Sequence, residues 1–169
     1  HRLRVLFPSG AQTNTYLADS AFDVVERPIA LRADNHLYRE LEVETRPQES
    51  WTAVYDADRG IAVLSSGLLE SAVRDLPERP IALTLFRGTR RTVGTDGEPN
   101  GQLRGELVFR YWIVPLTGAP DHLHLFTLAK QLAAGLRTVQ LSATEIGWQR
   151  VGNLPATAGV VQVEGAGVV

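Results

Sequence analysis

Trp51-Thr52-Ala53-Val54-Tyr55 and Ile61-Ala62-Val63-Leu64 are two runs rich in β-branched and aromatic residues, separated by Asp56-Ala57-Asp58-Arg59-Gly60. Such side chains favour a pleated strand, and a short connection carrying Asp and Gly joins antiparallel neighbours. The stretch therefore predicts a paired hairpin with Gly60 at a positive φ. Asp56 and Asp58 then bond the backbone of the turn rather than serve catalysis.

Working outward, the same strand-and-turn grammar continues on both sides. Leu3, Val5 and Phe7 alternate with Arg2 and Arg4, placing the apolar three on one strand face, and Pro8-Ser9-Gly10 ends the run. Ala21 to Val25 predicts a second strand closed by Arg27-Pro28, because Pro donates no ladder hydrogen bond and biases its predecessor to extended geometry. A polar connection holding Asp34, Asn35 and His36 follows. Downstream, Ile81, Leu83 and Leu85 alternate with Ala82, Thr84 and Phe86, a run apolar on both faces, as in a covered sheet. Gly88 to Gly105, with its Thr95-Asp96-Gly97-Glu98-Pro99-Asn100-Gly101 cluster, reads as a loop. Glu106 to Val114 reads as a strong strand that Pro115 stops.

One helix interrupts this pattern. Asp121 follows Pro120 as an N-cap, Leu125, Leu128, Ala129, Leu132 and Ala133 form an amphipathic stripe, and Gly135 suits the stop. Thr138–Leu141 and Val160–Val163 read as further short strands on either side of a Leu154-Pro155-Ala156 turn. The sum is roughly seven to ten short strands and a single short appended helix, which predicts an all-β antiparallel β-sandwich.

Composition bounds the function. The chain has 169 residues, 44% hydrophobic and 21% charged, enough to bury its own core without staples. Its 17 basic and 19 acidic residues leave a net charge of −2, which gives no electrostatic footprint for nucleic acid. Arg87, Arg90 and Arg91 flank a Gly-rich turn and read as a solvated hairpin end rather than a phosphate site. No apolar run approaches the roughly 18 to 20 residues of a membrane span, and no charged-then-apolar leader opens the chain. The sequence holds no Cys, which removes disulfides and thiolate metal sites and suits a reducing cytoplasm. It also holds no Met and opens at His1, from which a piece of a longer polypeptide is expected.

No residue set in the sequence alone forms an active site. His122 and His124 make a His-x-His pair that would chelate on a strand, but they fall in the first turn of the predicted helix, where residues two apart diverge. His1 and His36 stand alone. Glu40, Glu42 and Glu44 alternate and read as a solvated face. No nucleophile elbow, phosphate loop, dinucleotide fingerprint or metalloprotease helix occurs. Catalytic residues and metal ligands are therefore assigned to none of these positions.

Several segments, taken in order, resemble the C-terminal β-sandwich region of glycoside hydrolase family 38, the α-mannosidases and related bacterial mannosyl hydrolases. Arg4-Val5-Leu6-Phe7-Pro8 and Phe22-Asp23-Val24-Val25-Glu26-Arg27-Pro28-Ile29 look like its first sandwich strands. Arg46-Pro47-Gln48 before Trp51-Thr52-Ala53-Val54 is similar to its Pro-Gln or Pro-Met step. Gly60-Ile61-Ala62-Val63-Leu64 with Gly67-Leu68-Leu69-Glu70 looks like its "G-x-A-V-L-x-x-G-L-x-E" strand and turn. Ala82-Leu83-Thr84-Leu85-Phe86-Arg87, Phe109-Arg110-Tyr111 to Val114-Pro115, and Leu154-Pro155-Ala156 to Gly165 continue the match colinearly; Thr157-Ala158-Gly159-Val160-Val161 departs from the family's Ser-Phe-Leu run.

The resemblance implies that residues 1–169 are a C-terminal sandwich of the galactose-mutarotase-like supersandwich kind, from a bacterial cytoplasmic enzyme. It implies a retaining α-mannosidase whose nucleophilic Asp and zinc ligands belong to an N-terminal α/β domain outside this chain. No cofactor falls to this chain, and zinc falls to that missing domain. The implied partners are the N-terminal catalytic domain and an α-mannoside, with self-association of the fragment through its uncovered apolar surface. One segment is a candidate for the rim of the sugar site: the turn Ser65, Ser66, Gly67 to Glu70, which offers hydroxyls and a carboxylate to sugar hydroxyls or is simply a hairpin turn. The alternative to the whole reading is a non-catalytic carbohydrate-binding sandwich, for which Tyr16, Tyr38, Trp51, Tyr55, Tyr111, Trp112 and Trp148 supply aromatic candidates.

Overall fold

The computed structural model describes residues 2–89, 101 and 104–135. In chain order the elements are β1 (Arg2–Phe7), β2 (Thr15–Asp19), β3 (Val24–Pro28), a 3-10 turn (Asn35–Leu37), β4 (Arg46–Pro47), β5 (Trp51–Tyr55), β6 (Gly60–Ser65), β7 (Glu70–Val73), β8 (Ile81–Arg87), β9 (Tyr111–Leu116) and α1 (His122–Ala134). They form two sheets, β1-β8-β7-β4 and β3-β2-β5-β6-β9, and every pairing among them is antiparallel. The sandwich and its appended helix are thus those expected from the sequence.

Alternation on the central strands explains the layering. Tyr16, Ala18, Val54 and Val63 meet Phe7, Val73, Ile81 and Leu83 of the other sheet in one buried cluster. Their neighbours Leu17, Trp51, Ala53, Ala62 and Leu64 face the opposite way, onto Leu125 and Ala129 of α1. The five-stranded sheet is therefore the middle of three layers, which is why its central strands read as continuous apolar runs. The small Ala53, Ala62 and Ala129 let the helix approach the sheet. Each large side chain buried this way contributes about 1.5–3 kcal/mol relative to exposure. The cap is also as read: the Asp121 side chain accepts from the His124 backbone N–H at 3.1 Å, and Gly135 closes the helix at φ 67°. Ala133, at the far edge of the apolar stripe, is exposed.

The hairpin at residues 51–64 pairs Tyr55 with Gly60 and Trp51 with Leu64. Gly60 is required for a different reason than expected. A Cβ there would lie 2.4 Å from the Val54 carbonyl oxygen and 2.6 Å from Tyr55 Cα, so close backbone approach, not a positive φ, demands glycine. Asp56 accepts from the backbone N–H groups of Gln12 at 2.6 Å, Asp58 at 2.9 Å and Arg59 at 3.0 Å, and these bonds hold its carboxyl below its ordinary range, the Gln12 bond most of all.

Several boundaries differ from the sequence reading. The expected strand at Ala21–Val25 is instead a turn, with Ser20 N–H bonded to Asp23 O at 2.8 Å, followed by β3 from Val24. The strand preceding that turn, β2, is buried from Tyr16 to Asp19, although its Ala18 and Asp19 carry no strand signal in the sequence. Leu3 is 55% exposed rather than inward with Val5 and Phe7, lying beside a register shift in the β1–β8 pairing. Pro115 does not stop the strong strand: β9 begins only at Tyr111 and runs through Pro115, which fits a strand that, among the described residues, lies at the edge of its sheet. Glu40 to Glu44 form no strand. Glu42 accepts from Arg32 N–H and pairs with Arg46, the first of these holding its carboxyl below the ordinary range, and Glu44 pairs with Arg4 at 2.7 Å. Thr138–Leu141, Val160–Val163, the Leu154-Pro155-Ala156 turn and the final segment of the family likeness, Trp148, His1, and the loop residues from Arg90 to Asn100, Arg91 included, lie outside the described residues.

Candidate functional site

The turn from Ser65 to Glu70 joins one sheet to the other, since β6 ends at Ser65 and β7 begins at Glu70. Gly67 takes φ 74°, the left-handed region that lets the chain reverse; a Cβ there would meet nothing within 4 Å, so the demand is conformational. Ser65 is buried, accepting from Gln48 Nε2 at 3.0 Å and donating to Leu68 O at 3.1 Å. Ser66 and Gly67 form the exposed tip, followed by buried Leu68 and by Leu69, which is 62% exposed. Glu70 turns to the four-stranded sheet, where it accepts from Thr84 Oγ1 and Arg87 Nη1, each at 2.8 Å, with Arg2 Nε at 3.5 Å. Of the four rim candidates, Ser66 and Gly67 therefore stand at the surface, while Ser65 and Glu70 are engaged within the fold.

Gln48, which motif reasoning passed over except as part of the Pro47-Gln48 step, sets the turn's position. Its Nε2 also donates to Leu68 O at 2.9 Å and its backbone N–H to Leu69 O at 3.0 Å. Its Oε1 accepts from Thr52 Oγ1 at 2.6 Å. Thr52 Oγ1 lies 2.7 Å from Ser71 Oγ, and because the threonine proton is spent on Gln48, Ser71 is the donor of that bond. The chain Ser71–Thr52–Gln48–Ser65 thus crosses the interior from β7 to β6 with its polar groups satisfied.

Asp19 anchors the adjoining segment. It is 2% exposed, and its carboxylate accepts from the backbone N–H groups of Glu49, Ser50 and Trp51 at 2.8–3.0 Å and from the Ser50 hydroxyl. Convergent N–H donors sustain this buried carboxylate. Two cavities flank the neighbouring Ser20–Asp23 turn. One, of about 210 Å³, lies between that turn, Gln48 and Leu69; the other, of about 230 Å³, lies between that turn and the start of α1. The Ser65–Glu70 turn, the β2–β3 turn and the helix start consequently gather at one end of the sandwich.

The remaining candidates are dispersed. Among the described residues, no three His, Asp or Glu side chains converge to hold a metal ion, so zinc finds no ligand set in them. The His122 ring sits 6.0 Å from that of Trp51, and His36 is in the 3-10 turn. Tyr16 and Trp51 are core residues, and burial pushes the Tyr16 phenol above its ordinary pKa. Trp112 and Tyr55 pack in the helix-side cluster. Tyr38 lies under Arg32 at 3.8 Å, and Tyr111 meets Phe7 edge-on at 5.4 Å. Among the described residues, no helix is long and apolar enough to cross a membrane.

No protein-family model matches the chain, and no curated protein does. Solved structures do. An α-mannosidase from Enterococcus faecalis V583 is similar at 30% identity with a TM-score of 0.64, and a glycosyl hydrolase family 38 protein from Enterococcus faecalis at 31% identity with a TM-score of 0.59. Each likeness covers 76% of this chain but only 14% of the relative, so the chain spans a small part of the proteins it matches. The resemblance to glycoside hydrolase family 38 carried by the sequence motifs is met, in fold and in residues, by solved proteins of that family.

Proposed function

We propose that this chain is the C-terminal β-sandwich of a bacterial α-mannosidase of glycoside hydrolase family 38. The observation that carries the reading is the joint likeness in fold and in sequence over three quarters of the chain. The sandwich is a structural domain: it packs on an N-terminal catalytic domain of the same polypeptide and lends a loop to the rim of the α-mannoside site. Ser66 and Gly67 form the tip of that loop, and Ser65 and Glu70 hold its two ends. The clamp by Gln48 supports this assignment, because a loop that meets a ligand loses less entropy when it is already ordered.

The parent's chemistry is retaining hydrolysis of a terminal α-mannoside, in which a carboxylate attacks the anomeric carbon and water later releases the sugar. Zinc belongs with that catalytic domain, and no step of the reaction is assigned to residues of this chain. The parent works in the bacterial cytoplasm. The separated fragment self-associates through apolar surface that its partner domain would cover, including Tyr111 and Ile113 on the β9 edge. Reading the coding DNA upstream of His1 tests the assignment. An in-frame α/β domain with paired His and Asp ligands supports it, and a start codon immediately before His1 contradicts it.

A further inference from the structure

Residues 29–45 form a strap that leaves β3 of one sheet and enters β4 of the other, closing the side of the sandwich on which those two strands lie. Both ends are fixed. Ile29 is buried in the inter-sheet cluster, and beyond Thr45 the chain pairs Arg46 and Pro47 with Ser71 and Glu70 of β7. The polar groups of the strap brace it internally. Glu42 N–H donates to Asn35 Oδ1 at 2.7 Å, and Asn35 Nδ2 donates to Glu42 O at 2.8 Å. The Glu42 carboxylate accepts from Arg32 N–H at 3.0 Å and pairs with Arg46. Asp34 accepts from Arg32 Nε at 2.8 Å, and Tyr38 lies under the same guanidinium.

The aliphatic side chains go the other way. Leu37 is 73% exposed, Leu41 60% and Val43 56%, and Leu31 is exposed at the start of the strap. A connection that only closed the sandwich would turn leucines inward and charges outward, whereas here charges bind one another and leucines meet solvent. Facing Leu31 is the exposed Leu76 of the β7–β8 connection, and the two line a groove of about 350 Å³ together with Ile29, Ala30 and Arg74. Among the described residues β3 and β9 are opposite ends of the five-stranded sheet, so this surface is separate from Tyr111 and Ile113 on β9. Apolar side chains held outward on an ordered support suit docking, because contact then costs little further entropy.

The size of the surface and the length of the relatives select the occupant. One strap and one facing turn fall short of the roughly 20–30 residues a side of a stable free complex, which disfavours a second copy. Within one polypeptide a smaller contact suffices, since the tether supplies a high effective concentration. Each solved relative is matched over only 14% of its length, so such proteins carry much polypeptide beside this sandwich. We propose that the strap is an interdomain contact, with Leu31, Leu37, Leu41 and Val43 docking on an apolar face of the N-terminal domain of the same polypeptide. This rests on the α-mannosidase reading and adds to it the face by which the sandwich is held.

Hydrogen exchange followed by mass spectrometry tests the contact, comparing peptides spanning residues 36–43 in the 169-residue chain and in the product of the uninterrupted reading frame that encodes it. Exchange about tenfold slower or more is expected in the longer product. The paired substitution Leu37→Ser with Leu41→Ser should return that rate to the value of the 169-residue chain. In the 169-residue chain the same pair should leave the urea midpoint unchanged, because both leucines are exposed there. Equal exchange in the two proteins would overturn the proposal, as would protection that survives the paired substitution. Protection already present in the 169-residue chain and lost on dilution would make a second copy the occupant, and the proposal fails. A longer product that hydrolyses an aryl α-mannoside while its strap exchanges freely refutes the contact alone; a product with no further domain refutes the α-mannosidase reading as well.

Discussion

Gln48 Nε2 donates to Ser65 Oγ at 3.0 Å across 17 residues of chain, tying the segment before β5 to the turn that follows β6. Because Gln48 also reaches Leu68 O and Leu69 O, one side chain and its own N–H hold most of that turn.

Gln48→Ala should therefore cost about 2 kcal/mol, the penalty for leaving buried partners without a bond. Urea denaturation checks this: the midpoint falls while the slope is unchanged. The amide signals of Ser66 and Gly67 should broaden or move in the same variant, since the tip loses its support. Stability within about 0.5 kcal/mol of the parent chain would mean the clamp is incidental.

Asp19→Ala should be more damaging. It strands the buried backbone N–H groups of Ser50 and Trp51 and the Ser50 hydroxyl, for about 3 kcal/mol. Asp19→Asn should lose less, because its amide oxygen still accepts. Thermal unfolding of the three proteins should rank parent, Asn and Ala in that order.

The helix offers an internal comparison. Leu125 is 1% exposed against the five-stranded sheet, and Leu125→Ala should cost about 2–5 kcal/mol. Asp121→Ala removes only the N-cap, worth about 1 kcal/mol. Chemical denaturation giving the cap a larger effect than the core leucine would contradict the three-layer packing.

Asp56 sets part of the acid limit. Its carboxyl is held below the ordinary range by N–H donors, so the folded state takes up its proton at lower pH than the unfolded chain does. The stability it contributes is full above the unfolded value of about 4 and is lost as pH falls through the folded value. Glu42 acts in the same direction through Arg32 and Arg46. Asp56→Asn should leave a shallower fall of melting temperature below about pH 4, with the Glu42 part remaining. An unaltered acid slope would refute the role of Asp56.

Much of the sandwich was legible in the sequence because its strands sit where periodicity is strongest. The 51–64 hairpin, the doubly apolar β8 and the capped helix are each specified by local residues. Other features depended on neighbours that sequence does not reveal. Pro115 fits because β9 is an edge among the described strands, Gly60 is required because the Val54 and Tyr55 backbone crosses it, and β2 pairs between β3 and β5, its buried Asp19 finding N–H donors on a segment about 30 residues away. The Ser65–Glu70 turn is legible from its motif, but the direction of each side chain is not. Ser65 points inward because Gln48 waits there, and Glu70 turns to Arg87, contacts made across 17 residues of chain in both cases.

The most direct test of the central claim is hydrolysis of 4-nitrophenyl α-mannopyranoside by two proteins: this 169-residue chain, and the product of the uninterrupted reading frame that encodes it. Turnover is expected of the reading-frame product, with the anomeric configuration of released mannose retained by NMR, and none of the 169-residue chain with or without zinc. Turnover by the isolated chain that vanishes in Glu70→Gln, or an uninterrupted product inactive on every α-mannoside tried, would contradict it.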